Sequence, residues 1–264
     1  MFPLILMLCL FQTSLDRTRV SVEGTSRSGK SERPSPQKQS DQAADAAADH
    51  QLSTLKALIN ETNLQSFGLT SKDQASGLKL GTPLPVYFVS AKDLAHYKPG
   101  TDAGTLMRKT SRVLYPVLLN GKGVTVITME KQNGRWALIE FGGRSIAPAL
   151  AEAGTVKSKP SNHGPGGKIP ERFAVQIPAL KELTFIAFAP PRGPGGSEDQ
   201  KRNVILRSTN TSDQLQKMLG GAGHELLKTN PQFSAEKKGT QSANDVFKSL
   251  STAAAKVSNS AVPQ

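Results

Sequence analysis

The stretch from Val113 to Gly143, VLYPVLLNGKGVTVITMEKQNGRWALIEFGG, constrains the fold of this chain more than any other. Three apolar runs are separated by two Asn-Gly pairs, Asn120-Gly121 and Asn133-Gly134. Both residues of such a pair tolerate positive φ, which suits a tight hairpin turn. Between the turns, Val124, Val126 and Thr128 alternate with Thr125, Ile127 and Met129, and a period of two in β-branched residues is the pattern of a half-buried strand. Beyond the second turn, Trp136, Leu138 and Glu140 are expected on one side and Ala137, Ile139 and Phe141 on the other. The stretch predicts a three-stranded antiparallel meander. Pro116 cannot donate to a ladder, so the first strand is expected at a sheet edge or bulged there. Trp136, the only tryptophan, is expected as a core anchor, since burial contributes roughly 25 cal/mol per Å² of apolar area.

Other segments have weaker patterns. Leu52, Leu55, Leu58 and Ile59 recur at helical spacing within Gln51 to Ile59. A short helix is expected over Thr70 to Ser76, with Thr70 as cap and Asp73 behind it. Val86 to Ser90 reads as a strand and Ala91 to Tyr97 as one or two helical turns. Ser145 to Ala153 suits a helix with Pro148 in its first turn. Phe173, Val175 and Ile177 alternate as a strand, Leu183 to Phe188 is a continuous apolar strand, and Val204 to Leu206 suits a last short one. The intervening Thr155 to Glu171 and Pro190 to Lys201 are Gly/Pro loops. Short helices are expected over Asp213 to Leu219 and His224 to Thr229. A better one runs from Ser242 to Val257, with Val246, Phe247, Leu250 and Ala254 on the face expected to pack on the sheet.

These elements give an α+β fold: an antiparallel sheet of about five or six strands with flanking helices. The expected organisation is an apolar, signal-peptide-like segment at 1–15, a disordered basic linker at 16–50, one domain at 51–257 and a frayed tail at 258–264. Met1 to Phe11 is too short for a bilayer span of about 20 residues, but it has the length of a signal-peptide core. It lacks a preceding Lys or Arg and a clean cleavage site, and Leu8 before Cys9 makes a poor lipobox. A start codon placed too late would explain the missing basic residues. Export is the leading reading, and an apolar N-terminus on a cytoplasmic protein is the alternative.

Chemistry-bearing motifs are sparse. Gly24 to Ser31, GTSRSGKS, fits the P-loop pattern, but RTRVSVE before it is a poor buried strand, and Pro34 and Pro36 fall where the helix should run. Cys9 is the only cysteine, so cleavage of the apolar run would leave none. His50, His96, His163 and His224 show no metal-ligand spacing. No cofactor or metal site, and no catalytic residue, is assigned. Glu130 and Glu140, on neighbouring strands, could work as an acid–base pair if one were desolvated, and His96 or His163 could act as a lone base. Arg112 with Tyr115, and Arg135 with Trp136, could stack on nucleobases, although no nucleic-acid-binding motif accompanies them. Asn60-Glu61-Thr62 and Asn210-Thr211-Ser212 match the glycosylation sequon of a eukaryotic secretory host. The formal charge of +12 permits anionic partners but specifies none.

Leu80-Gly81-Thr82-Pro83-Leu84-Pro85-Val86-Tyr87, Tyr115-Pro116-Val117, Asn120-Gly121-Lys122, Asn133-Gly134-Arg135-Trp136 and Phe173 to Leu180 together resemble exported bacterial proteins of unknown function. The hairpin is similar to PepSY and peptidase-propeptide modules, small α+β domains. That resemblance implies action by binding, often by inhibiting a peptidase, and assigns no residue a role. The leading expectation is a non-enzymatic exported module of a bacterial envelope whose partner is an anionic envelope component or another protein. The alternatives are an envelope hydrolase with a non-contiguous site, which a deep pocket with a histidine beside a carboxylate would favour, and a nucleic-acid binder.

Overall fold

Both Asn-Gly turns form as the sequence requires. Asn120 and Gly121 have φ of 51° and 78°, and Asn133 and Gly134 have 50° and 81°, the paired positive values of a hairpin turn whose twist matches its strands. The structure is a computed structural model that describes residues 36–155, 172–180, 183–188, 204–229 and 240–260. Its order is α1 (Pro36–Leu58), β1 (Lys79–Leu80), β2 (Leu84–Phe88), α2 (Ala91–Ala95), β3 (Arg108–Leu119), β4 (Lys122–Gln132), β5 (Arg135–Gly142) and α3 (Ala147–Thr155). It continues with β6 (Arg172–Ile177), β7 (Leu183–Phe188), β8 (Ile205–Ser208), α4 (Ser212–Leu219), α5 (Gly221–Thr229), β9 (Gln241–Ser242) and α6 (Ala243–Ser260).

The class is mixed α+β, and the sheet is mostly antiparallel. Among the described residues it has nine strands rather than five or six, ordered β5-β4-β3-β2-β6-β7-β8-β9 with β1 beside β3. Two antiparallel runs, β2 to β5 and β6 to β9, meet at one parallel pair, where Val86, Tyr87 and Phe88 face Ala174, Val175 and Gln176. The two-residue strands β1 and β9 are too short to leave a periodic pattern.

Side-chain alternation divides the sheet into two unlike faces. On one, Tyr87, Phe173, Val175, Phe185, Ala187 and Leu206 pack with buried residues of α2, α4 and α6. The same face continues across β3 and β4, where Tyr115, Val117, Ile127 and Met129 pack under α1. On the other, Leu84, Val86, Leu114, Val126, Ala174 and Ile186 pack with α3. The face of α6 expected from sequence is the one that is buried: Val246, Phe247, Leu250 and Ala254 are each fully covered.

Several expectations are corrected. Helix α1 begins at Pro36, not Gln51, so residues 36–50 belong to the fold; the rest of the expected linker lies outside the described residues. Ala44 and Ala48 are buried and extend the Leu52–Leu55–Ile59 stripe in steps of four. Alanine favours helix but carries little hydrophobic signal, which is why the segment reads as a linker. The next short helix is a 3-10 turn, Lys72–Gly77, preceded by Ser71 rather than capped by Thr70. Pro116 is not at an edge, because β3 lies inside the sheet. Its missing N–H falls opposite Gly81, where the chain steps out of the ladder between β1 and β2, and its carbonyl accepts from the Gly81 N–H at 2.7 Å. The expected bulge comes one residue later, at Val117/Leu118. A second register shift at Thr128/Met129 inserts Ile139 as an extra residue in β5. Trp136, Leu138 and Phe141 therefore share the α1 side, and Glu140 pairs with Thr128.

Trp136 is half-buried at the rim of the α1 cluster, where its indole N–H donates to the Ser40 carbonyl at 3.3 Å. The fully covered aromatic of this layer is Tyr115, 2% exposed, whose hydroxyl donates to Asp45 at 2.9 Å. Burial, then the bond to Asp45, raise the Tyr115 phenol far above its ordinary pKa of 10.0. A raised phenol supports the fold fully below its unfolded pKa, and that support is lost as pH climbs toward the folded-state value. Tyr115→Phe is expected to cost about 1 kcal/mol at neutral pH and to flatten part of the stability decline above pH 10; denaturant melts across that range measure both.

Gly123 explains how α3 lies so close to β4. A Cβ at this position would overlap the Ala147 carbonyl at the start of α3. Gly123→Ala is expected to destabilise the protein by about 2 kcal/mol through overpacking against backbone. Gly77→Ala, where the added carbon meets only Leu119 at ordinary distance, is expected to cost less. Urea unfolding of both variants provides the comparison.

Candidate binding surface

Among the described helices, α1, α2, α4, α5 and α6 contribute to the clusters on one face of the sheet, and α3 alone covers the other. Beyond α3 this second face turns polar. It holds a shallow depression of about 370 Å³. Its described lining combines apolar Leu114, Val126 and Ile146 with polar Thr128, Glu140, Gln176, Thr184, Asn210, Gln214 and Lys217.

Local chemistry fixes these side chains. The extra residue at Ile139 sets Glu140 beside Thr128, whose hydroxyl donates to its carboxylate at 3.3 Å. Gln176 and Thr184 interrupt the apolar strands β6 and β7 opposite one another in register. Helix α4 starts with a reciprocal cap: Thr211 Oγ1 accepts from the Gln214 N–H at 3.3 Å, and Gln214 Oε1 accepts from the Thr211 N–H at 2.9 Å. That cap uses the Gln214 carbonyl and leaves its amide NH₂ for the depression. Just before it, Thr209 is anchored by its hydroxyl to the Thr184 carbonyl at 2.8 Å.

The arginines near this face are committed. Arg112 meets Glu130 at 3.1 Å, Arg108 meets Asp93 at 2.9 Å, and Arg207 meets Glu152 of α3 at 2.9 Å. Arg172 donates to the Ala153 carbonyl near the end of α3, a favourable place for a cation. By contrast, Glu140 and Lys217 form no ion pair among the described residues.

The candidate chemistry from sequence does not assemble. Hydrogen bonds from Gln132 and then Arg112 hold the Glu130 carboxyl below its ordinary range, so Glu130 is the opposite of a desolvated proton donor beside Glu140. His96 is exposed, with Nδ1 2.7 Å from the Lys92 carbonyl of its own helix. His163, Cys9 and the P-loop-like Gly24 to Ser31 lie outside the described residues. Tyr115 is buried and Arg112 is paired with Glu130, so this couple offers no stacking platform; Trp136 packs beside α1. Asn60 is exposed, whereas Asn210 is buried at 7% exposure, which leaves only the first sequon accessible in the folded protein. Among the described residues no group of acidic, histidine or cysteine side chains gathers as a metal site, and no helix is long and apolar enough to cross a membrane.

The lining residues Gln176, Thr184, Gln214 and Lys217 are not singled out by sequence reasoning. A signal for two of them exists: Gln176 and Thr184 sit where the alternation of β6 and β7 would otherwise place apolar side chains. No known protein family matches the chain, and no curated protein or solved structure does.

A carboxyl held down by a neighbouring guanidinium should rise when that neighbour is removed. Arg112→Gln is expected to move the Glu130 pKa upward toward the ordinary carboxylate range, read by side-chain NMR titration. A lowered carboxyl supports the fold above its unfolded pKa and ceases to as pH falls through the folded-state value, and the exposure of this pair keeps the stability change small.

Proposed function

We propose that this protein is an exported, non-enzymatic binding module of a bacterial cell envelope and that the sheet face beyond α3 is its recognition surface. The observation that carries this reading is the shallow polar depression beside α3, bordered by α4 and otherwise lined by strand and turn residues. Its lining includes hydroxyl and amide groups, among them the half-buried side-chain amides of Gln176 and Gln214. Ligands undergoing chemistry are usually held in deeper, water-excluding pockets, and the Glu130 carboxyl near this face is held below its ordinary range, which favours its ionised form. The likeness of the hairpin to PepSY and peptidase-propeptide domains points the same way, toward action by binding. Because the nearby arginines are committed to acids or to a helix end, a protein or peptide partner fits this face better than an anionic polymer does.

The apolar Met1 to Phe11 segment supports export. Fractionation of native cells with mass spectrometry of the N-terminus tests it. A mature start between Gln12 and Ser26, in the envelope or the medium, is expected; an intact Met1 on cytoplasmic protein would contradict export.

A further inference from the structure

We propose that the depression binds a short peptide with free termini, its ammonium held by Glu140 and its carboxylate by Lys217; this rests on the reading of the open face as a recognition surface. Two observations point there. First, among the described residues Glu140 and Lys217 are the charged side chains lining the depression. They come from different elements, one on β5 and the other on α4, and neither joins an ion pair among the described residues, while Arg108, Arg112 and Arg207 do. An anion and a cation without ion-pair partners, on separate elements lining one depression, complement a zwitterion, not a polyanion. Second, the groups between them include the amides of Gln176 and Gln214 and the hydroxyls of Thr128 and Thr184. A side-chain amide carries the same donor and acceptor as a peptide group and can pair with it in both directions. Among the described residues no aromatic ring lines the depression, so they supply no flat apolar platform on which a sugar ring or a base would rest.

The size is consistent. A volume near 370 Å³ is at the low end of ligand sites, which run from about 300 to 1,000 Å³, and suits a ligand about three residues long.

The test is an NMR titration of the isotope-labelled full chain with trialanine, N-acetyl-trialanine and trialanine amide, repeated on Glu140→Gln and Lys217→Met. Both residues are exposed, so the variants are expected to fold. Trialanine is expected to shift the backbone amides of Gln176, Thr184 and Gln214. N-acetylation or Glu140→Gln should weaken binding about tenfold, and C-amidation or Lys217→Met by a similar factor. Equal binding of free and blocked peptides would overturn the assignment of the termini while leaving the face as a binding surface. Absence of shifts at about 10 mM peptide, where millimolar affinity still registers, would overturn the peptide assignment itself. Neither failure touches the cell-fractionation result, which bears on export alone.

Discussion

The parallel pairing of β2 with β6 is the constraint on which the rest of the structure depends. Antiparallel neighbours can be joined by a two-residue turn, but parallel neighbours need a connection that leaves the sheet and returns. Here that connection runs through α2, the β3–β5 meander and α3 before β6 begins. Helix α3 is the part of the route that lies against the second face, and Gly123 lets its backbone settle on β4. The seam is further held by the Val89 N–H donating to the Gln176 carbonyl at 3.0 Å and by the Tyr87 and Phe173 rings, 4.6 Å apart. The depression then follows from topology: it is lined by the turn leading into α3, by α4 and by residues of the strands β3 to β7.

The two faces differ because the other helices collect on one side. Helices α2 and α6 pack over β6 to β8, and α1 covers β3 and β4, so that face is dry across both antiparallel runs. Among the described helices, the apolar part of the second face packs with the nine residues of α3, Ala147–Thr155, while α4 borders the depression. The alternation of this face accordingly shifts from Ala174 and Ile186, which α3 protects, to Gln176 and Thr184, which line the depression. An antiparallel sheet with one packed and one wet face is stable on hydrophobic grounds, and the wet side is where recognition can occur without loss of core.

Much of this was legible in the residues. The meander was readable because its turns need positive φ and Asn-Gly supplies it, and because β4 alternates cleanly. Helix α6 was readable from the spacing of Val246, Phe247, Leu250 and Ala254. What could not be read was of two kinds. Some elements carry weak signals: the first half of α1 packs through alanines, and β1 and β9 are two residues long. Other features depend on distant partners. The extra residue at Ile139 is defined only by its register against β4, the interior place of Pro116 only by Gly81, and the parallel seam only by residues far apart in sequence. The depression is of this second kind. Glu140 was visible as a charged strand residue, but its relation to Lys217 exists only once β5 and α4 border the same face.

The central claim is that neighbouring residues of β6 look into different worlds, Val175 into the layer beneath α2 and α6 and Gln176 into solvent on the open face. Thiol labelling measures this directly. With Cys9→Ser as background, Gln176→Cys and Val175→Cys place a single probe on either side of one strand. The account predicts that the thiol at 176 reacts with a maleimide in the native state, while the thiol at 175 reacts only as fast as the protein unfolds. Equal native-state labelling at both positions, or protection at 176 with reactivity at 175, would contradict it.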